Sequence, residues 1–148
     1  MSWKVIRPQV GTLIDAIAKV HDLKDTPGLN FSGYPAAHIL PSDNSGDYET
    51  NKENVRIYAF LIRVFYETKK IGIQDAMERL EDVVDDILDA VDQEDLKTSA
   101  TRTLGINMPA RYTYLNVFAS PGAWFELPDL ELIFTEITVK VRVSVDVT

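Results

Sequence analysis

The chain has 148 residues, 45% of them hydrophobic and 26% charged, which suits one globular domain with a real core. Its formal net charge of −8 argues against a surface that grips nucleic-acid phosphates through clustered lysine and arginine. With no cysteine at all, it excludes a disulfide framework, a zinc ribbon and a thiol nucleophile, and it fits a reducing compartment.

Taken in order, the first predicted element is a helix from about Trp3 to His21. Val10, Leu13, Ile14, Ile17 and Ala18 recur at three- and four-residue spacing, and Val20 closes the pattern. Pro8 is tolerable in a first turn, where its missing N–H would be unpaired anyway. The helix proper is therefore expected to begin near Arg7, with Met1 to Ile6 as a lead-in. Asp25-Thr26-Pro27-Gly28 supplies the turn that ends it. Tyr34 to Leu40 then reads as a short strand, kept at an edge or ended by Pro35 and Pro41. The tract Ser42 to Asn54 contains almost nothing to bury. It is expected to be a long loop, or a hairpin tip turning at Asn44 to Gly46.

Val55 to Glu67 is a second strand. Tyr58, Phe60, Ile62, Val64 and Tyr66 share one face; Ile57, Ala59, Leu61, Arg63 and Phe65 share the other. With both faces apolar, the strand is central or its second face is covered by another molecule. Ile73 to Val91 is the clearest helix, with Ile73, Ala76, Met77, Leu80, Val83, Val84, Ile87, Leu88 and Val91 on one stripe. The remainder of that helix is almost wholly acidic, and Arg79 is its one basic residue. Leu96 to Arg111 makes a second long connection. Tyr112 to Ala119 is a further strand, with Leu115 and Val117 opposite Tyr114 and Phe118. Ser120-Pro121-Gly122-Ala123 has the residues of a type II turn, which would expose Trp124-Phe125 at its tip.

The last stretch, Glu136 to Thr148, alternates strictly. Ile137, Val139, Val141, Val143, Val145 and Val147 interleave with Thr138, Lys140, Arg142, Ser144 and Asp146. Such a run is a strand about 40 Å long with one apolar and one wet face. Its valines need a cover, which the two helices are built to supply. The expected fold is one α+β domain over 1–148, a mainly antiparallel sheet with both amphipathic helices on one face.

The acidic helix is the most unusual feature. Glu78–Asp82, Glu81–Asp85, Asp82–Asp86 and Asp85–Asp89 are like-charge pairs at four-residue spacing, which mildly destabilise an isolated helix. A solvated face explains them most simply, and a surface that repels DNA or meets a basic partner explains them more specifically. The residue types of a calcium loop are absent. His21 and His38 lie in no metal-binding spacing. Ser32 and Ser45 lie in no nucleophile elbow, and no phosphate-cradling glycine loop is present. Neither an enzyme nor a cofactor is expected. No apolar run is long enough to span a bilayer and no secretory signal pattern is present, so a soluble protein is expected.

The order of elements over most of the chain resembles the tail terminator (tail completion) proteins of long-tailed bacteriophages. Val10 to Val20, Val55 to Tyr66, Ile73 to Val91 and Ile137 to Val147 carry the likeness, as lengths and order of elements and not as a motif. The resemblance implies a virion protein assembled in the host cytoplasm. It would form a ring, usually hexameric, that ends tail-tube polymerisation, joins the tail to the head connector and lets DNA pass through its bore. Its partners would be further copies of itself, the tail tube protein and connector proteins, with no membrane and no sequence-specific DNA contact. Expected interface residues are Asp47, Tyr48 and Glu49 in the polar tract, then Ile57, Leu61, Arg63 and Phe65, then Arg102 and Trp124. Asp82, Asp85, Asp86 and Asp89 are the expected acidic lining of the bore. The polar tract and the second connection would order only on docking. A head-completion or other neck protein is the nearest alternative, followed by a non-viral α+β binding module.

Overall fold

The alternating run that ends the sequence becomes an interior strand of a five-stranded sheet. The computed structural model describes residues 2–17, 20–24, 28–48, 53–97, 103–105, 108 and 110–146, with side chains for all of these but 2–3, 43–48 and 53–54. In chain order the elements are α1 (Ser2–Asp15), β1 (Asp22–Lys24), β2 (Ala36–Tyr48), β3 (Glu53–Glu67), α2 (Gly72–Leu96), β4 (Tyr112–Leu127) and β5 (Leu132–Asp146). The sheet order is β1-β2-β3-β5-β4. Every pairing is antiparallel except the short parallel contact of β1 with β2. β5 enters between β3 and β4, and its register with β3 runs without a slip from Glu53↔Asp146 to Glu67↔Leu132.

Period-two patterning decides which face is core. Ile137, Val139, Val141, Val143 and Val145 on β5 are at most 1% exposed, while Thr138, Lys140, Arg142 and Ser144 between them are half-exposed. The buried face continues through Tyr58, Phe60, Ile62 and Val64 on β3. Against it pack Ile6, Val10, Leu13 and Ile14 of α1 and Ala76, Leu80, Val83, Ile87 and Val91 of α2. Each large side chain so buried contributes about 1.5–3 kcal/mol. The result is the α+β arrangement expected from the sequence, with both helices on one face.

Local departures have local causes. α1 starts at Ser2, so Pro8 lies inside the helix and not in its first turn. Pro8 is on the exposed side, and its carbonyl accepts the Thr12 hydroxyl at 3.0 Å. The helix ends at Asp15, leaving Val20 buried but beyond it. β2 runs through Pro41, which pairs with Phe60 just before an irregular step to Asn44. A proline and a bulge are tolerated there because beyond His38 no described strand pairs with the outer edge of β2.

The polar tract is therefore strand as far as Tyr48, and Asn44 to Gly46 pair with Arg56 to Tyr58 instead of forming a turn. Main-chain pairing with β3 holds this arm. α2 continues to Leu96, and Ile73 and Met77 at its start are exposed instead of joining the buried stripe.

β4 corrects two further expectations. An irregularity between Tyr114 and Asn116 leaves Leu115 out of the ladder. Tyr114, opposite Val143, therefore shares the helix-covered face with Val117, while Phe118 points to the other side. Ser120 to Ala123 does not turn; β4 passes straight through with a second irregularity between Pro121 and Trp124. Gly122 allows this, since a Cβ there would lie 3.0 Å from the Glu136 carbonyl oxygen. The chain reverses instead at a 3-10 turn, Pro128–Leu130, closed by Glu131 at φ 53°.

Candidate assembly interface

Two surfaces stand out from this fold, the outer side of α2 and the sheet face that the helices leave uncovered. α2 holds ten of the chain's 23 acidic residues and one of its 15 basic ones, so the helix carries −9 and the rest of the chain +1. The entire negative balance sits on one element. Asp82, Asp85 and Asp89 are exposed on it, and Asp86 is half-buried. The four recur at i, i+3, i+4 and i+7 along one side of the helix.

The second surface is built in rows by the strand register, because directly paired residues share a face. Leu40, Leu61, Thr138 and Ser120 form one row, Ala59, Lys140 and Phe118 the next, and Ile57, Arg142 and Asn116 the third. Leu40, Ile57, Leu61, Lys140 and Arg142 are half-exposed and Phe118 is exposed, with the Lys140 ammonium 6.0 Å from the Phe118 ring centre. This face mixes apolar side chains with Lys140 and Arg142, and Asp146 and the paired Arg63 and Glu136 lie on it as well. Among the described residues no helix covers it.

One end of the same face is closed by the chain itself. Residues 28–34 fold over it, and Phe31 lies 5.2 Å from the Phe65 ring. Phe65 is also 5.0 Å from both His38 and Phe134. Phe65, expected at an interface, is only 1% exposed in the chain by itself, where an intramolecular aromatic cluster covers it.

His38 is nearly as buried, with Nδ1 2.8 Å from the Gly28 carbonyl oxygen. Burial pushes its imidazole below the usual histidine range; the Gly28 contact opposes this and the Arg63 charge adds to it. Arg63 is held by Glu136 at 2.9 Å and lies 5.7 Å from the Phe134 ring centre, so at the sheet surface it is already partnered within the chain. His21 is past the end of α1, where its N–H donates to the Pro35 carbonyl.

Trp124 is exposed, though in mid-strand and not at a turn tip. With Ile73, Met77, Phe125, Glu126 and Ile133 it lines a shallow cleft of about 160 Å³ between the start of α2 and the end of β4. Asp47 and Tyr48 are the last two residues of β2, and their side chains are outside the described set. Glu49 and Arg102 lie outside the described residues altogether.

The sequence reading missed the cationic half of the open face, because Lys140 and Arg142 look like ordinary wet positions of an alternating strand. The signal was present in their spacing, since i and i+2 share a face with the apolar Ile57 and Leu61 of the neighbouring strand. It also missed Asp95, whose Oδ1 accepts the Val117 N–H at 3.1 Å and so occupies part of the outer edge of β4. Glu94, fully buried at the end of α2, accepts the Leu104 N–H, while Gln9 accepts that of Gly105 at 2.7 Å. These bonds dock residues 103–105 against both helices.

No protein-family model matches the chain, and no curated protein matches it in sequence. In fold it is similar to a chain in the solved structure of the virion of a native gene transfer agent (GTA) particle. That likeness has a TM-score of 0.56 at 10% identity and spans 95% of this chain and 93% of the other.

Proposed function

We propose that the protein is a structural component of a phage-like virion, acting as a ring at the head-proximal end of a tail. The observation that supports this most is the likeness to a virion chain, which extends over nearly the full length of both proteins. A shared fold does not by itself carry a role. The surfaces supply the second support. An open sheet face with Leu40, Ile57, Leu61 and Phe118 on it suits a protein that works as one subunit among several. The acidic helix layer and the open sheet face differ from each other, which suits head-to-tail association, and such association gives a closed ring where the rotation between subunits closes.

In this reading the ring terminates the tail tube and joins it to the connector, and DNA passes without being gripped. The reading assigns the chain no catalytic step and no cofactor. A stopper or other neck ring uses the same surfaces, and the test below separates rings from non-rings first.

The test is the solution mass of the purified protein by light scattering on a sizing column over a range of concentrations, followed by electron microscopy of the largest species. A closed ring of about six copies with a central opening is expected. A mass of one subunit up to millimolar concentration, or open filaments, would overturn the ring. Addition to purified tail tubes then separates the roles: a terminator caps one end of a tube, whereas a stopper leaves tubes unaltered.

A further inference from the structure

We propose that residues 28–34 are a strap that lifts off the sheet in mild acid, released by protonation of His38, while the rest of the fold stays intact. The device works within one chain and does not depend on the ring.

Few contacts hold the strap, which belongs to no helix or strand. At its start, His38 Nδ1 lies 2.8 Å from the Gly28 carbonyl oxygen and 3.3 Å from the Gly28 nitrogen. In its middle, Phe31 packs on Phe65, and the Ser32 N–H donates to the Asp22 carboxylate at 2.8 Å in an exposed bond. Near its far end, Gly33 sits so close to the His21 ring that a Cβ would clash with it. Both histidines of the chain thus touch the strap. Its underside is loosely packed: a cleft of about 370 Å³ lies between it and the sheet, lined by Leu29, Phe65, Leu127 and Phe134 among others, and Leu29 is 44% exposed. Segments with so few buried contacts open at a lower free energy than the whole fold. β2 and β3 beneath are joined by their own ladder from Ala36↔Phe65 onward, so the strap can move without them.

His38 supplies the trigger because its ring has no room for a second proton. The 2.8 Å contact places the proton of the neutral ring on Nδ1, donating to Gly28. Nε2 is buried and has no hydrogen-bond partner, so a proton added there becomes a buried cationic N–H without an acceptor. The charged neighbours do not relieve it. Arg63 faces His38 across the β2–β3 ladder with a like charge, itself held by Glu136, and Lys24 is paired with His38 on β1. Asp22 is engaged by Ser32, while burial and then the Glu67 charge push the Tyr34 phenol up at the strap's end. Asp25 lies outside the described residues. His21 is exposed, so its ring can take a proton with the strap in place.

Water reaches the His38 ring once the strap is lifted, so the open form binds the proton more tightly than the closed one. Closure is therefore complete above about pH 6.5 and weakens as pH falls towards the depressed closed-state value, by up to about tenfold per pH unit. The open form bares Phe65, which lies in register with Phe134 and with the exposed Phe125. Only then is this aromatic row continuous at the surface.

Amide hydrogen exchange of the full chain, corrected for intrinsic rates, tests the strap apart from the core. Ser32 protection is expected to fall about five- to tenfold between pH 7.5 and 5.5. At each pH it should hardly respond to about 1 M urea, whereas the Ile62 and Ile137 amides should exchange faster there, because strap opening exposes little surface. His38→Leu and His38→Gln should flatten the pH slope at Ser32, and His21→Gln should keep it. The slope is the readout, since either His38 variant also loosens the closed strap at every pH.

Ser32 protection that is flat with pH in the wild type would overturn the proposal, as would an equal slope in His38→Leu. So would Ser32 exchange that follows Ile62 and Ile137 in urea, because the strap would then open only with the whole fold. If a His38 variant does not fold, the wild-type pH and urea series still decides.

Discussion

The two faces of this sheet are made from the same strands and do opposite things. Along β3, Phe60, Ile62 and Val64 are fully buried under the helices, while Ile57 and Leu61, in between, remain half-exposed on the open side. The first set has its cover within the chain. The second has none among the described residues, although Val55, Ala59 and Phe65 on the same face are buried, Phe65 beside Phe31. The contrast teaches that hydrophobicity along a strand marks what must be covered but not by what. It separates stability, which lives on the helix side, from the assembly proposed for the open side.

The largest expected effect breaks the comparison directly. Ile62→Ala should destabilise the folded monomer by about 2–5 kcal/mol in urea unfolding, since it leaves a cavity beneath α1 and α2. Leu61→Ala, one residue away, should cost under about 1 kcal/mol in the same assay yet weaken self-association. Equal losses for the two would mean that the open face is core after all.

Next in size is Glu94. Replacing this buried carboxylate by alanine strips the Leu104 N–H of its acceptor and should cost about 1–3 kcal/mol, read as a lower urea midpoint. Exchange protection at Leu104 should fall with it.

A smaller effect concerns His38, which lies at the covered end of the open face. Its folded-state pKa is lowered by burial, so the unfolded chain takes up a proton first as pH falls. Its contribution is complete above the ordinary histidine value and is lost progressively as pH drops below about 6.5 towards the depressed folded value. Wild type should therefore lose stability between pH 7.5 and 5.5 more steeply than His38→Leu, in urea titrations at about four pH values across that window. Parallel profiles would show that His38 is not what couples this region to pH.

The smallest is on α2. Asp85→Lys removes like-charge neighbours at Glu81 and Asp89 and should raise the monomer's melting temperature slightly, by at most about 0.5 kcal/mol in stability. The same substitution should weaken association. A gain in one and a loss in the other is the signature of charge retained for assembly.

Much of this was legible in the sequence where one pattern had no competitor. The alternation from Ile137 to Val145 could only be a one-sided strand, and it is. The stripe from Ala76 to Val91 could only be an amphipathic helix. The misses came where a local signal was overruled by pairing partners remote in sequence. Asn44 to Gly46 carry turn residues, yet their backbone groups are claimed by Arg56 to Tyr58. Pro121-Gly122 reads as a turn, yet β5 holds the segment in the sheet through an irregular step. Phe65 reads as exposed because nothing in its own strand shows that Phe31 returns to cover it. The acidic stripe was plain from composition, whereas the rows of the open face appeared only once β3, β4 and β5 were set side by side.

The central claim is the assembly proposed for the open face, and side-chain footprinting with hydroxyl radicals reads it most directly. Labelling of Ile57, Leu61 and Phe118 would be followed from dilute to concentrated protein, with Ile62 and Ile137 as buried references. The account predicts that labelling of the three falls as the mass rises while the two references stay dark throughout. Association that leaves Ile57, Leu61 and Phe118 as reactive as in the monomer would contradict it.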